Sequence, residues 1–141
     1  SRPDSYLLFV GDGDLRGELE EIAQGRKIGD RVLFAGFVDD VSAFYSSMDI
    51  LLAPSLYEGL PIALIEAQCN GLPVLLSDSI TQEAAVTDAA RFISLAKADC
   101  EWADAAFCAK RILPREAVGA IRERGYSRSA TTELLHKLYS L

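Results

Sequence analysis

Residues 57–74 read YEGLPIALIEAQCNGLPV, a largely apolar run that carries two glutamates, Glu58 and Glu66. Eight residues along an ideal helix, at about 100° each, turn one side chain some 80° away from the other, so the pair does not form one polar stripe. The conflict disappears if the helix starts at Pro61. Proline has the φ of a first helical residue and loses nothing there by lacking an N–H. Glu58 then lies in the loop before the helix and Glu66 falls on its second turn. Gly71 followed by Pro73 supplies the stop. A loop holding Glu58 and Gly59 thus opens onto a helix N-terminus, where unpaired N–H groups and the positive dipole end favour an anion.

Outward from this helix, short apolar runs alternate with helical patterns. Tyr6–Val10, Val32–Ala35, Ile50–Ala53 and Val74–Ser77 read as strands without polar alternation, the mark of strands buried on both faces. Between them, Leu15, Leu19, Ile22 and Ala23 recur at helical spacing, with Gly25, Arg26 and Lys27 at the end. Val41, Phe44, Tyr45 and Met48 give a short second helix. Phe92 and Ile93 suggest one more strand, and residues 102–112, 114–124 and 131–138 look helical, with Pro114 at a first helical position. Strands alternating with helices specify the α/β class, here a doubly wound, Rossmann-like parallel sheet flanked by helices.

At 141 residues and 50% hydrophobic, the chain suits one domain that buries roughly 68% of its unfolded surface. A net charge of −7 argues against a nucleic acid or an anionic membrane as main partner. Cys69, Cys100 and Cys108 are an odd count without C-x-x-C spacing, which predicts buried thiols in a reducing compartment rather than disulfides or zinc. No apolar run reaches the ~18 residues of a membrane span, and no signal peptide is visible. The expectation is a soluble, cytoplasmic piece.

Other candidate sites are weaker. VGDGDLRG (10–17) has glycines at a strand-to-helix turn, but the spacing is not G-x-G-x-x-G, and Asp12 and Asp14 put negative charge where a pyrophosphate would lie. Asp14 as helix N-cap is the simpler reading. Asp39 or Asp40 caps the next helix in the same way. Gly36, Phe37 and Val38, at the carboxyl end of the second strand, lie where such sheets bind ligands and are placed to touch a base. His136 has no adjacent nucleophile partner and reads as structural or exposed. Ser55 shares the loop of Glu58. Two carboxylates beside a helix N-terminus can accept hydrogen bonds from paired sugar hydroxyls while the N-terminus takes a diphosphate, the features of a nucleotide sugar.

PSLYEGLPIALIEAQCNGLPVLLSD (54–78) resembles the donor-binding motif of retaining glycosyltransferases of the GT-B fold, the family 4 or group 1 type, marked by E-x7-E and a following G-x-P-V. LLFVGDGDLRGELEE and VLFAGFVDDVSAFYSSMDILLAPS look like the preceding segments of the same domain, and SDSITQEAAVTDAARFISL is similar to the bacterial capsular and exopolysaccharide branch. The resemblance covers about residues 6–95. It implies that Glu58 holds the donor sugar or phosphate as the catalytic-site carboxylate, that Gly59, Leu60 and Pro61 sit against sugar and diphosphate, and that Glu66 holds the ribose. Gly36, Phe37 and Val38 would edge the base. It further implies a nucleotide-diphosphate sugar as substrate, UDP-linked, with no cofactor and no metal. The family's diphosphate-binding Arg and Lys normally lie in the first strand-helix unit of this domain, and its acceptor site mostly on an N-terminal domain. Residues 1–141 are therefore expected to be the C-terminal, donor-binding half of a GT-B enzyme without those parts, partnered by the acceptor domain and by no nucleic acid, and inactive alone. Peripheral association of the full-length enzyme with the inner face of the membrane is compatible with this reading. Two other readings stay open: a flavodoxin-like nucleotide-binding or signalling module using Asp12, Asp39 and Asp78, and a sugar-nucleotide epimerase of GT-B shape.

Overall fold

The computed structural model describes residues 4–127 and residue 129. The predicted helix over 131–138 and His136 lie outside them. The chain forms two compact units, Ser1–Val41 and Ser42–Leu141. The first contains strand β1 (Leu7–Phe9), helix α1 (Arg16–Gly25), a 3-10 turn (Gly29–Arg31) and strand β2 (Val32–Phe34). The second contains α2 (Ser42–Ser47), β3 (Leu51–Ala53), α3 (Ile62–Cys69), β4 (Val74–Ser77), a 3-10 turn (Gln82–Ala84), β5 (Ala90–Ile93), α4 (Asp99–Cys108) and α5 (Pro114–Glu123).

Among the described residues the named strands all pair in parallel, as alternating strands and helices require. β1 pairs with β2 in the register Leu7↔Val32 to Phe9↔Phe34. In the second unit the order is β3-β4-β5, with Leu51↔Val74 and Val74↔Ala90 in register. The fold is therefore α/β, with parallel sheets flanked by helices, the described strands falling into one two-stranded and one three-stranded sheet. Only β4 is buried along its whole length, as expected for all four strands. β1 is not: Leu7 is 44% exposed. A strand in a two-stranded ladder has one neighbour, whereas β4 has one on each side. The apolar runs also overstate strand length, since Tyr6, Val10, Ala35 and Ile50 fall outside the ladders.

The core of the second unit has two clusters. Ile65 of α3, Val86 and Ile121 of α5 form one, joined by the partly buried Cys69 and Tyr126. Leu75 of β4, Ile93 of β5 and Ala105 of α4 form the other, with Ile50, Trp102 and Ala106 against it. The inward stripe of α4 passes through Trp102, Ala105 and Ala106, which leaves Cys100 and Cys108 exposed, contrary to the expectation of buried thiols. Cys69 alone is half-buried, and its thiol is pushed up first by burial and then by the charge of Glu66. α4 starts at Asp99 rather than near Trp102, because the Glu101 carboxylate accepts the Ala98 N–H at 3.2 Å and closes the first turn. It ends early because Ala109 is extended and Pro114 denies Leu113 the helical region.

α1 ends on Gly25, as its sequence suggests; beyond it Lys27, at φ 58°, takes the left-handed position, while the N–H of Ile28 reaches the Ala23 carbonyl at 3.0 Å. The start of α1 corrects the sequence reading, because Asp14 does not cap it. Leu15 occupies the cap with helical φ and ψ, no side chain caps the turn, and Arg16 N–H goes to the Gly13 carbonyl at 3.1 Å.

Candidate functional site

The third strand delivers the chain into the loop 54–61, and β4 holds that loop in place. Ser77, the last residue of β4, is fully buried and its hydroxyl donates to the Ser55 carbonyl. The Ser55 hydroxyl in turn donates to Glu58 Oε1 at 3.0 Å. The structure thus joins two of the residues singled out in the sequence, and the spacing of three fits a side chain reaching forward along a turn. Glu58, Gly59 and Leu60 are exposed and Pro61 is half-buried.

Pro61 is the N-cap of α3 and not its first helical residue: its ψ of 99° is extended and the helix begins at Ile62. The one-residue shift leaves the chemistry intact, because no side chain caps this end of α3, and its leading N–H groups keep their affinity for negative charge. Glu66 lies one turn on and is exposed. It is not isolated. Burial, followed by the charge of Glu66, pushes the phenol of Tyr45 on α2 up. The sequence shows Tyr45 only as one apolar position of a short helix and gives no sign of the influence of Glu66, 21 residues on.

Two more polar residues stabilise α3. Gln68 is completely buried: its Nε2 donates to the carbonyls of Leu64 at 2.9 Å and Ala84 at 2.7 Å, and its Oε1 accepts from the N–H groups of Val86 and Thr87 at 2.9 and 3.0 Å. The Thr87 hydroxyl adds a further bond at 3.2 Å. At the other end, the Arg111 guanidinium donates to the carbonyls of Tyr45 at 3.1 Å and Met48 at 2.7 Å, and to Asn70 through both its carbonyl and its side-chain oxygen. One cation therefore satisfies carbonyl groups at the C-terminal ends of α2 and α3, where the helix dipole favours it. Asn70 also donates to Ser46 at 3.1 Å, a second tie between the same helix ends.

The base-edge candidates belong to the first unit. Gly36 has φ 68° and its carbonyl accepts the Gly11 N–H at 2.8 Å, at the carboxyl ends of β2 and β1. Phe37 beyond it is 86% exposed, and Val38 is half-buried. The GDGDLR turn is organised internally. Asp12 accepts from Gly13 N–H at 2.9 Å and from Arg16 at 3.4 Å, Arg16 also bonds Glu20 at 2.9 Å, and the guanidinium lies 5.4 Å from the Phe34 ring centre. Asp78, the other acid weighed for a signalling role, accepts the Leu95 N–H at 3.3 Å. Among the described residues no three acidic, thiol or imidazole groups are placed to hold a metal ion, and no helix is long and apolar enough to cross a membrane.

Comparison with known proteins bears on this arrangement. The family described as Glycosyl transferases group 1 matches residues 1–106. The chain is 38% identical over 77 residues to the UDP-Gal:alpha-D-GlcNAc-diphosphoundecaprenol alpha-1,3-galactosyltransferase of Escherichia coli, covering 54% of this chain and 20% of that protein. It is 44% identical over 73 residues to the Vi polysaccharide biosynthesis protein VipC/TviE of Salmonella typhi, covering 52% of this chain and 13% of that one. The chain thus spans 20% or less of the length of these relatives. Among solved structures, HepE of Anabaena in complex with UDP superimposes with a TM-score of 0.77 over 99% of this chain and 42% of its own, at 18% identity. At that identity the likeness speaks for the fold, one half of a GT-B architecture. By the match over residues 1–106, this chain belongs to the group 1 glycosyl transferase family.

Proposed function

We propose that residues 1–141 are the donor-binding part of a retaining, metal-independent glycosyltransferase of the family 4 type. It moves a sugar from a UDP-linked donor to a lipid-linked or polysaccharide acceptor of the capsular or exopolysaccharide kind, with the acceptor side contributed by an N-terminal domain outside these residues. The observation that carries the reading is the second unit's loop 54–61. Glu58 is held by Ser55 directly before an uncapped helix, and the same helix carries Glu66. In this assignment Glu58 takes the hydroxyls of the transferred sugar and Glu66 those of the ribose. Gly59, Leu60 and Pro61 line the sugar and diphosphate. The open N-terminus of α3 stabilises negative charge on the departing diphosphate, where charge develops in glycosyl transfer. Two similar proteins lend support: the Escherichia coli relative is a UDP-Gal galactosyltransferase, and HepE of Anabaena has a structure in complex with UDP.

Because the two glutamates serve different rings of one ligand, their replacement separates them. In the full-length protein, Glu66→Ala is expected to weaken UDP and the UDP-sugar alike, whereas Glu58→Ala weakens chiefly the UDP-sugar. A charged acceptor facing hydroxyl donors is worth roughly 1.5–3 kcal/mol, or about ten- to a hundredfold in Kd. Four dissociation constants decide the matter. Equal losses for both ligands in both variants defeat the separate roles, and no loss in either variant defeats the site.

A further inference from the structure

The β3–β4 ladder ends at the pair Ala53↔Leu76, where the chain enters the loop that carries Glu58. Ser77, next after Leu76, is fixed on its other side by β5, through the register Ser77↔Ile93 and the bond from the Asp78 N–H to the Ile93 carbonyl at 3.1 Å. Its side chain is fully buried, and its single hydroxyl proton goes to the carbonyl of Ser55, beyond the end of β3. A side chain thus carries the hold of the sheet one step past the backbone ladder. Ser55, held in this way, donates its own hydroxyl to Glu58 Oε1 at 3.0 Å. A glutamate in an exposed loop ordinarily samples several rotamers, and ordering it on ligand binding costs conformational entropy. An ionised carboxylate has about four acceptor positions, so the bond from Ser55 leaves room for sugar hydroxyls.

We propose that Ser77 is a positioning residue for recognition of the transferred sugar, acting from the buried end of β4 through Ser55 to hold the Glu58 carboxylate where the hydroxyls of that sugar bind. The inference rests on the reading that Glu58 serves the sugar. Ser77 makes no ligand contact in it. Its contribution is preorganisation of the group that does, as an outer partner orients an inner one.

UDP and whichever of UDP-glucose and UDP-galactose binds the full-length protein more tightly are compared by calorimetry in the parent protein, Ser77→Ala, Ser55→Ala, Glu58→Ala and the pairwise double variants. Ser77→Ala removes one buried oxygen. Ser55→Ala keeps the carbonyl that Ser77 holds and cuts only the link onward to Glu58. Each serine change is expected to raise the Kd of the sugar nucleotide about three- to tenfold while leaving that of UDP unchanged, and Ser77→Ala should add nothing in the Ser55→Ala or the Glu58→Ala background. Equal weakening of both ligands by Ser77→Ala means a structural role only and overturns the inference, as does no weakening of either. Ser55→Ala leaves the buried bond of Ser77 intact, so an unchanged preference for the sugar nucleotide in that variant overturns the relay even if Ser77→Ala does not fold. If Glu58→Ala itself weakens both ligands equally or neither, the assignment of Glu58 fails and takes the inference with it. Binding of neither sugar nucleotide overturns the UDP-donor reading altogether.

Discussion

Replacing Gln68 by methionine is expected to remove about 3–6 kcal/mol from the free energy of unfolding, the largest single loss foreseen for this protein. Methionine matches the volume of glutamine and fills the site without a cavity, so the change isolates the polar contribution. Its consequence is that the carbonyl of Ala84 and the N–H groups of Val86 and Thr87 lose the side chain that satisfies them. All three residues are buried, at 0%, 0% and 5% exposure, so water cannot take its place. Each orphaned group costs about 1–3 kcal/mol. Against a typical stability of about 5–15 kcal/mol, such a loss consumes much of the total. Urea unfolding measures it through the shift of the midpoint at constant slope. A loss below about 1 kcal/mol would mean that the 84–87 segment finds other partners and that Gln68 is not what fastens it to α3.

Gly71→Ala is the second large effect. Gly71 has φ 74° and closes α3 in a Schellman arrangement, with Leu72 N–H on the Ala67 carbonyl at 3.1 Å and its own N–H on the Gln68 carbonyl at 2.9 Å. A Cβ at this position would lie 2.3 Å from the Ile112 carbonyl oxygen, a backbone atom. That backbone is fixed from the other direction, because Ile112 N–H donates to the Gly71 carbonyl at 3.1 Å. The left-handed conformation costs an alanine about 1 kcal/mol, and forcing the backbones apart adds roughly 1–3 kcal/mol. Gly119→Ala is the control. Gly119 lies inside α5 with nothing within 4 Å of the added Cβ. That change is expected to stabilise by about 0.5–1 kcal/mol. Thermal unfolding of both variants gives opposite shifts of Tm, and a Gly71→Ala protein as stable as its parent would refute the close approach.

What was legible in the sequence follows from how local the cause was. β4 was read to the residue, because Gly71 and Pro73 mark its start and the strand, with neighbours on both sides, is buried at all four positions. β1, β2 and β3 were read a residue or two too long, since apolar side chains continue past the last ladder bond. The stop of α3 was legible in Gly71, and its start was missed by one residue, because proline suits both the cap and the first helical position. Asp14 looked like a cap by residue type, and Leu15 took the position through backbone geometry that residue type does not encode. Ser55 and Glu58 meet across three residues, and their pairing lay within reach of the motif. Tyr45, Gln68 and Arg111 owe their roles to partners 16 to 66 residues away, which periodicity cannot reveal. Gln68 did leave one trace: a polar residue four positions after Leu64 and three after Ile65, on the stripe that α3 buries.

Arg111 has a bearing on how the chain acquires its structure as it is made. Its guanidinium reaches back 63 residues to Met48 and 41 to Asn70. The strands β3, β4 and β5 are all complete in sequence before it, so a nascent chain can ladder them while Arg111 is still inside the ribosome. The carbonyl ends of α2 and α3 must then rely on water until residue 111 emerges. Closing such long loops is slow relative to forming the helices themselves. A lock on the helix that carries Glu66 is thus supplied from downstream, and α3 gains its remaining contacts only when Ile121 of α5 follows.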